Sequence, residues 1–238
     1  MARWLIGCEF TGSVRRAFRA LGHDAWSCDL LPAADGDPHH IQGDVLDVLG
    51  DGWDGAVLHP PCTYLANSGV RWLYGGKGTG RDDVRWAKME DGARFFRACL
   101  DAPIPLLAVE NPIQHRHCRE IIGRGPDQTI QPWQYGHGEI KATCLWLKGL
   151  PPLTPTKIVD GRTPRVHHAS PSPDRWKERS VTLPGIAAAM AEQWGNVPLL
   201  KAAQHKGAQS RLAGKWLHQP SEHQEMTERC DLFGVVRR

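Results

Sequence analysis

Short apolar runs separated by segments of helical length constrain this chain more than any other feature. "RWLIGCE" reads as a buried strand, and the "GSVRRAFRALG" that follows puts Val14, Ala17, Phe18 and Leu21 at helical spacing before Gly22, a residue suited to a C-cap. "HDAWSCDLL", "WDGAVLH" and "PIPLLAVEN" are three further strands. Between the last two, residues 84–100 carry Trp86, Met89, Ala93, Phe96 and Leu100 every three or four positions. Strand and helix alternating in this way specify an α/β fold built on a doubly wound, mostly parallel sheet. In such sheets ligands bind at the carboxyl ends of the strands.

Length allows one large domain: residues 1–196 are expected to form it and 197–238 a polar tail with isolated helical signals around 208–216. Hydrophobic residues at 41% and charged residues at 23% match soluble globular chains. No run approaches the roughly 18 apolar residues of a membrane span, and the opening "MARWLIGCEFTG" is too short in apolar residues for a signal peptide, so a cytoplasmic protein without a membrane partner is expected. Cys8, Cys28, Cys62, Cys99, Cys118, Cys144 and Cys230 never form a C-x-x-C pair, which reads as reduced thiols. A net charge of +3 permits a polyanionic partner without requiring one.

Polar residues gather where the strands end. Glu9, Phe10 and Gly12 follow the first, Asp29 the second, His59 to Cys62 a later one, Glu110 and Asn111 another, with Asp44 of "IQGDVLDV" on the same rim. Each alone is often a cap or a turn former; their convergence marks a site. Cys62 is either a core thiol, as most cysteines are, or a nucleophile. It follows Pro60-Pro61, whose fixed φ angles stiffen the turn, and precedes the polar Thr63, Asn67 and Ser68. Glu110 in "VENP" is either a cap for the segment beyond Pro112 or a carboxyl in an apolar setting with a raised pKa.

At these positions the chain resembles the DNA cytosine-5 methyltransferases. "HPPCTY" is similar to their proline-cysteine motif and "VENP" to their Glu-Asn motif, while "CEFTGSVRRAF" resembles a shortened cofactor loop, "SCDLL" the acidic ribose-binding turn and "GDV" the adenine-binding aspartate. "QYGHGEIKATCLWL" resembles the base-proximal strand, and "LPGIAAAMAEQWG" the helix after it that packs beside the cofactor loop. The resemblance reaches about residue 196 and is nearest to the compact forms encoded by bacteriophages. It implies a Rossmann-like S-adenosylmethionine-dependent methyltransferase fold, with DNA as partner and a monomer as the expected state. Cys62 would then add to C6 of cytosine, turning C5 into an enamine carbon that takes a methyl group, while Glu110 in its neutral form protonates or hydrogen-bonds N3. The cofactor would meet Phe10, Thr11, Gly12, Asp29, Leu30, Asp44, Val45 and Pro60. The substrate would meet His59, Pro61, Asn67, Ser68, Asn111, Lys141, Arg162, Arg165, Arg175 and Lys177.

The chain departs from that pattern in three places. Val14 stands where a second glycine is usual, and Glu139, Lys141 and Thr143 replace Gln, Arg and Arg, leaving Lys141 as a point charge for a base carbonyl or a phosphate. Only about thirty residues, 151–180, occupy the place of a target-recognition domain, too few for an independent core. This Pro-rich, basic stretch reads as an extended loop in which Arg162, Arg165, Arg175, Lys177 and Arg179 either touch phosphates or are simply solvated. Some relatives transfer a modified methyl group from a carboxylated cofactor, and nothing in these motifs separates the two. The Gly-rich "YGGKGTGRDD" is too irregular for a phosphate-binding motif but is placed to close over substrate.

Rival chemistries fit less well. A zinc deaminase needs H-x-E and then P-C-x-x-C, whereas here "HGE" at 137–139 comes after the lone "PC" at 61–62. Amino-group methyltransferases place an aromatic residue after the two prolines, where this chain has Cys62. The histidines of "HRHC" at 115–118 lack a second ligand pair with zinc spacing, so they read as solvated loop residues and no metal is expected. Two alternatives stay open. One is the same chemistry on a free pyrimidine nucleotide or RNA; the other is a non-catalytic nucleic-acid-binding module, against which the intact Cys62 and Glu110 argue.

Overall fold

The computed structural model describes residues 1–75, 80–165 and 179–198. Seven strands, β1 (Arg3–Gly7), β2 (Asp24–Asp29), β3 (His40–Gln42), β4 (Gly55–Leu58), β5 (Leu106–Pro112), β6 (Gln128–Ile130) and β7 (Thr143–Lys148), form one sheet in the order β3-β2-β1-β4-β5-β7-β6. The first five are parallel, and β7 runs antiparallel to both β5 and β6. Among the described residues the α-helices are α1 (Ser13–Ala20), α2 (Val45–Val48), α3 (Asp83–Leu100), α4 (Arg116–Ile122) and α5 (Pro184–Trp194). This is the mostly parallel α/β sheet that the alternation predicts, compatible with a Rossmann-like fold.

Central strands of a parallel sheet lie under helices on both faces, so their side chains are buried without alternation. Trp4 to Gly7, Gly55 to Leu58 and Leu106 to Val109 are buried throughout. Within β1, Leu5 joins a core with Val45, Leu49, Met89, Phe96 and Ile122, while Trp4 and Ile6 join an opposite core with Val14, Phe18, Ile186, Met190 and Trp194. Hence α2, α3 and α4 cover one face and α1 and α5 the other. Helix α5 packs against α1, the neighbour of the β1–α1 turn, as expected for the helix of "LPGIAAAMAEQWG". Met1–Val197 forms one compact unit, one residue longer than the expected domain. The tail from 199 on, with its helical signals, lies outside the described residues.

Two expectations change. Glu110 does not cap the segment after Pro112: it lies inside β5, paired with Leu145 of β7, and α4 is capped by His115, whose Nδ1 accepts from the Cys118 N–H at 3.3 Å. That also corrects the solvated reading of "HRHC", since His115 is buried and its Nε2 sits 2.9 Å from the Tyr64 carbonyl. Helix α3 starts at Asp83, one residue before the expected 84, because the Asp82 carboxylate accepts from the Arg85 N–H at 3.0 Å and supplies the N-cap. Among the described residues no helix is long and apolar enough to cross a membrane.

Candidate active site

Strand order reverses between β1 and β4, because β1 leads to β2 and β3 on one side while β4 and β5 lie on the other. The carboxyl ends of β1 and β4 therefore splay apart into the crevice where such sheets bind ligands. At the end of β1 the chain turns through Cys8, at φ 57, and Gly12, at φ 69, into α1. Gly12 is the N-cap, and a Cβ there would meet Arg15 Nη2 and Asp35 Oδ2 within 2.7 Å. The role of a capping side chain falls to Glu9: its carboxylate accepts from the Val14 N–H at 2.7 Å and the Arg15 N–H at 3.3 Å, adding negative charge at the positive end of the helix. Thr11 Oγ1 also reaches Glu9, and the Phe10 carbonyl accepts from the Ala34 N–H.

A second layer of the crevice comes from β2 and β3. Asp29 ends β2, with Oδ1 accepting from the Leu31 N–H at 2.9 Å, and the Leu30 carbonyl accepts from Gln42 Nε2. Burial pushes the Asp29 carboxyl up, and this outweighs the Leu31 N–H and His40, which act the other way. Asp44 is the N-cap of α2 through the Leu46 N–H. Val45 lies against the end of β1, since a Cβ on Gly7 would come within 2.6 Å of both Val45 and Leu58. Behind this wall a buried charge holds the turns together. The fully buried Arg15 donates to Ser27 Oγ at 2.7 Å and to Asp35 at 2.5 Å, and Ser27 Oγ is 2.8 Å from His40 Nδ1. Sequence reasoning missed Arg15, because a helical arginine beside Val14 reads as a solvated one.

The loop that carries Cys62 leaves β4 at His59. The His59 N–H donates to the Gly7 carbonyl, and the Cys62 carbonyl accepts from Leu65 and Ala66, closing a tight turn after Pro60-Pro61. Pro60 is buried, whereas Pro61 and Cys62 are partly exposed and Asn67 and Ser68 are exposed on the 3₁₀ turn that follows. Asn111, expected to meet substrate, is engaged through its amide nitrogen, while its buried Oδ1 meets no hydrogen-bond partner among the described residues. It is 1% exposed and donates from Nδ2 to the Pro60 carbonyl at 2.8 Å, so it fastens β5 to the loop that carries Cys62.

Across the loop, Glu110 Oε2 accepts from His59 Nδ1 at 3.1 Å. Burial pushes the Glu110 carboxyl up, but the hydrogen bond and charge of His59, helped by Lys141, more than reverse this and hold it below the usual value. The expected raised pKa is therefore overturned for the free protein: apolar surroundings at the end of "LLAV" are visible in sequence, and an imidazole fifty-one residues away is not. The Cys62 thiol is pushed up, first by burial and then by the Glu110 charge, against the pull of Arg179 and Lys141. The carboxylate and two cations thus act on the thiol, and of the two cations Lys141 also acts on the carboxylate.

The basic residues divide differently from the expectation. Lys141 donates from Nζ to the Arg179 carbonyl at 2.8 Å and the Val181 carbonyl at 3.2 Å, which brings residues 179–181 to the rim and makes Arg179 part of the site. Arg165 is paired with Glu139, and Arg162 stacks 3.9 Å over the Trp133 ring and donates to the Val159 carbonyl. Arg175, Lys177 and residues 76–79 of the Gly-rich stretch lie outside the described residues. Among the described residues no three His, Cys, Asp or Glu side chains gather to hold a metal ion. No protein-family model matches the chain, and no curated protein matches it significantly.

Proposed function

We propose that this chain is an S-adenosylmethionine-dependent enzyme that transfers a methyl group to C5 of cytosine in DNA through a covalent adduct on Cys62. The observation that carries this reading is that the loop bearing Cys62, leaving β4, is fastened to the stretch of β5 bearing Glu110 beside the reversal of strand order, through His59 on Glu110 at 3.1 Å and Asn111 on the Pro60 carbonyl at 2.8 Å. A pyrimidine ring asks for these two groups, one attacking C6 and one acting at N3.

The residues at the β1 and β2 ends fit the cofactor. Asp29 is a partly exposed carboxylate of the kind that accepts from ribose hydroxyls, and the glycine N-cap at position 12 keeps the α1 turn free of a side chain that would crowd its own Arg15 and Asp35. When bound, the cofactor supplies an electrophilic methyl group. Phe10, Thr11, Gly12, Asp29, Leu30, Asp44, Val45 and Pro60 are the residues assigned to hold it, and they do not separate it from the carboxylated variant. Cys62 forms the bond to C6. Its carbonyl, fixed by Leu65 and Ala66, and the Asn111 hold on Pro60 keep the thiol in place. Lys141 and Arg179 place positive charge where the thiol must ionise, which favours the thiolate.

The test is incubation with labelled S-adenosylmethionine and separate DNA, RNA and nucleotide substrates, followed by nucleoside analysis. Labelled 5-methylcytosine in DNA is the expected product. The wild type should trap DNA bearing 5-fluorocytosine as a covalent adduct, because fluorine at C5 blocks elimination, and Cys62→Ser should trap none and turn over none. Full activity of Cys62→Ser overturns the mechanism. Label in free nucleotide or RNA alone would favour the alternative substrates, for which the short 151–180 segment leaves room.

A further inference from the structure

His59 lies nine-tenths buried beside the reacting groups, and the thiol chemistry described so far leaves it without a part. Its Nδ1 faces Glu110 Oε2 at 3.1 Å. Its other nitrogen, Nε2, is buried and meets no hydrogen-bond partner among the described residues. A buried ring nitrogen left open costs stability, so an imidazole placed this way is held for its one bonded partner, the carboxylate.

We infer that His59 and Glu110 hold one proton between them, and that this proton passes through Glu110 to N3 of the pyrimidine while Cys62 adds to the ring. The inference rests on the reading above and deepens it. An ionised Glu110 alone has no proton to give, yet addition cannot proceed without one arriving at N3. His59 is therefore a positioning residue that acts through Glu110, and it resolves the conflict between a carboxylate held ionised and a role that demands an acid.

The Cys62 S–H bond breaks, with its proton lost to solvent at the partly exposed loop, and the S–C6 bond forms. The C5=C6 electrons become C4=C5, and the C4=N3 electrons settle on N3. The shared proton moves from His59 Nδ1 to the ionised Glu110 carboxylate and from it to N3, leaving Glu110 ionised as before and His59 neutral. After methyl transfer the C5 proton is lost to solvent, the S–C6 bond breaks as C5=C6 re-forms and frees the thiolate, and N3 returns its proton along the same path. The charged and titratable groups facing this pair are Lys141, which precedes β7, Cys144 within β7 and Cys62 on the loop after β4; Arg179 acts on the thiol rather than on the carboxyl.

The test compares wild type, His59→Asn and His59→Gly. Asparagine can donate to Glu110 but has no proton to pass on. His59→Asn should lower kcat about 100-fold, the usual scale for loss of an acid–base group, with KM changed less than about threefold and S-adenosylmethionine affinity unchanged by calorimetry. The alkaline fall of kcat should move to lower pH, since the carboxyl then holds its proton alone. Added imidazole should restore part of the rate to His59→Gly. Independently of turnover, the ¹³C carboxyl shift of Glu110 should titrate at higher pH in His59→Asn than in wild type. A Glu110 titration that does not move, or a His59→Asn rate within threefold of wild type with the same alkaline limb, overturns the inference. If the wild type forms no adduct and labels no substrate, the methyltransferase reading fails instead, and the Glu110 titration still decides whether His59 governs that proton.

Discussion

At the scale of single residues, two carboxylates near the crevice work in opposite directions. Asp29, pushed up by burial, is one of the partly exposed acids at the strand ends, and its removal takes away a charge-assisted acceptor. Asp29→Ala should weaken S-adenosylmethionine binding by about 1.5–3 kcal/mol by calorimetry while the fold survives; unchanged affinity would put the pocket elsewhere. Burial pushes Asp35 up too, but hydrogen bonds from Arg15, the Asp37 N–H and Arg16 bring it down to about 2, below its ordinary 3.8. A folded value below the unfolded one means the ionised form stabilises the protein above the unfolded pKa, and the contribution is lost as pH falls through the folded pKa. Asp35→Asn should therefore lower the urea midpoint at pH 7, and the gap from wild type should close between about pH 4 and pH 2. A gap of the same size at pH 2 would show that Asp35 acts by packing rather than charge. Neither group's environment was legible in the sequence, where both are acids after a strand or in a loop; burial and partners such as His40 for Asp29 and Arg15 for Asp35 set their chemistry.

Among the elements, α5 shows how an approach between backbones selects a residue. Proline at its first turn and the apolar Ile186, Met190 and Trp194 make a helix there legible from sequence. The backbone approach at its start was not. Gly185 sits so close to the Tyr135 carbonyl that a Cβ would overlap it, and its N–H donates to His137 Nε2 at 2.9 Å. Gly185→Ala forces backbone apart and should destabilise the protein by about 1–3 kcal/mol in chemical denaturation, despite alanine being the better helix former. Unchanged stability would mean that the helix start relaxes freely. Because α5 rests on α1, and α1 begins at the proposed cofactor turn, the same variant should also weaken S-adenosylmethionine binding. Strand β7 shows the reverse case. Its apolar "CLWL" is plain in the sequence, but its antiparallel direction is not, because a buried strand carries the same residues whichever way it runs.

For the whole molecule, the interval between β7 and α5 is too short for an independent recognition module, and the described part of it is tied down by its own contacts, Arg162 on Trp133 and Arg165 on Glu139. DNA binding should then be steered by charge: steeply salt-dependent, with weak or short sequence preference in base-resolution maps of modified cytosines. Replacing Arg162, Arg165, Arg175 and Lys177 by alanine should lower affinity about equally for all sequences and flatten the salt slope; one long recognition sequence modified by the isolated protein would contradict this. What the sequence by itself determined is the α/β alternation, the gathering of polar residues at the strand ends, and the Pro-Pro stiffening before Cys62, because these follow from local periodicity and fixed φ angles. Only the tertiary structure decided which groups at that rim meet. His59 on Glu110, Asn111 on Pro60, Lys141 on the 179–181 carbonyls and Arg15 on Ser27 join residues from separate elements. Protonation depends on burial and on charges a few ångströms away, and those distances exist only once the sheet has brought its strand ends together.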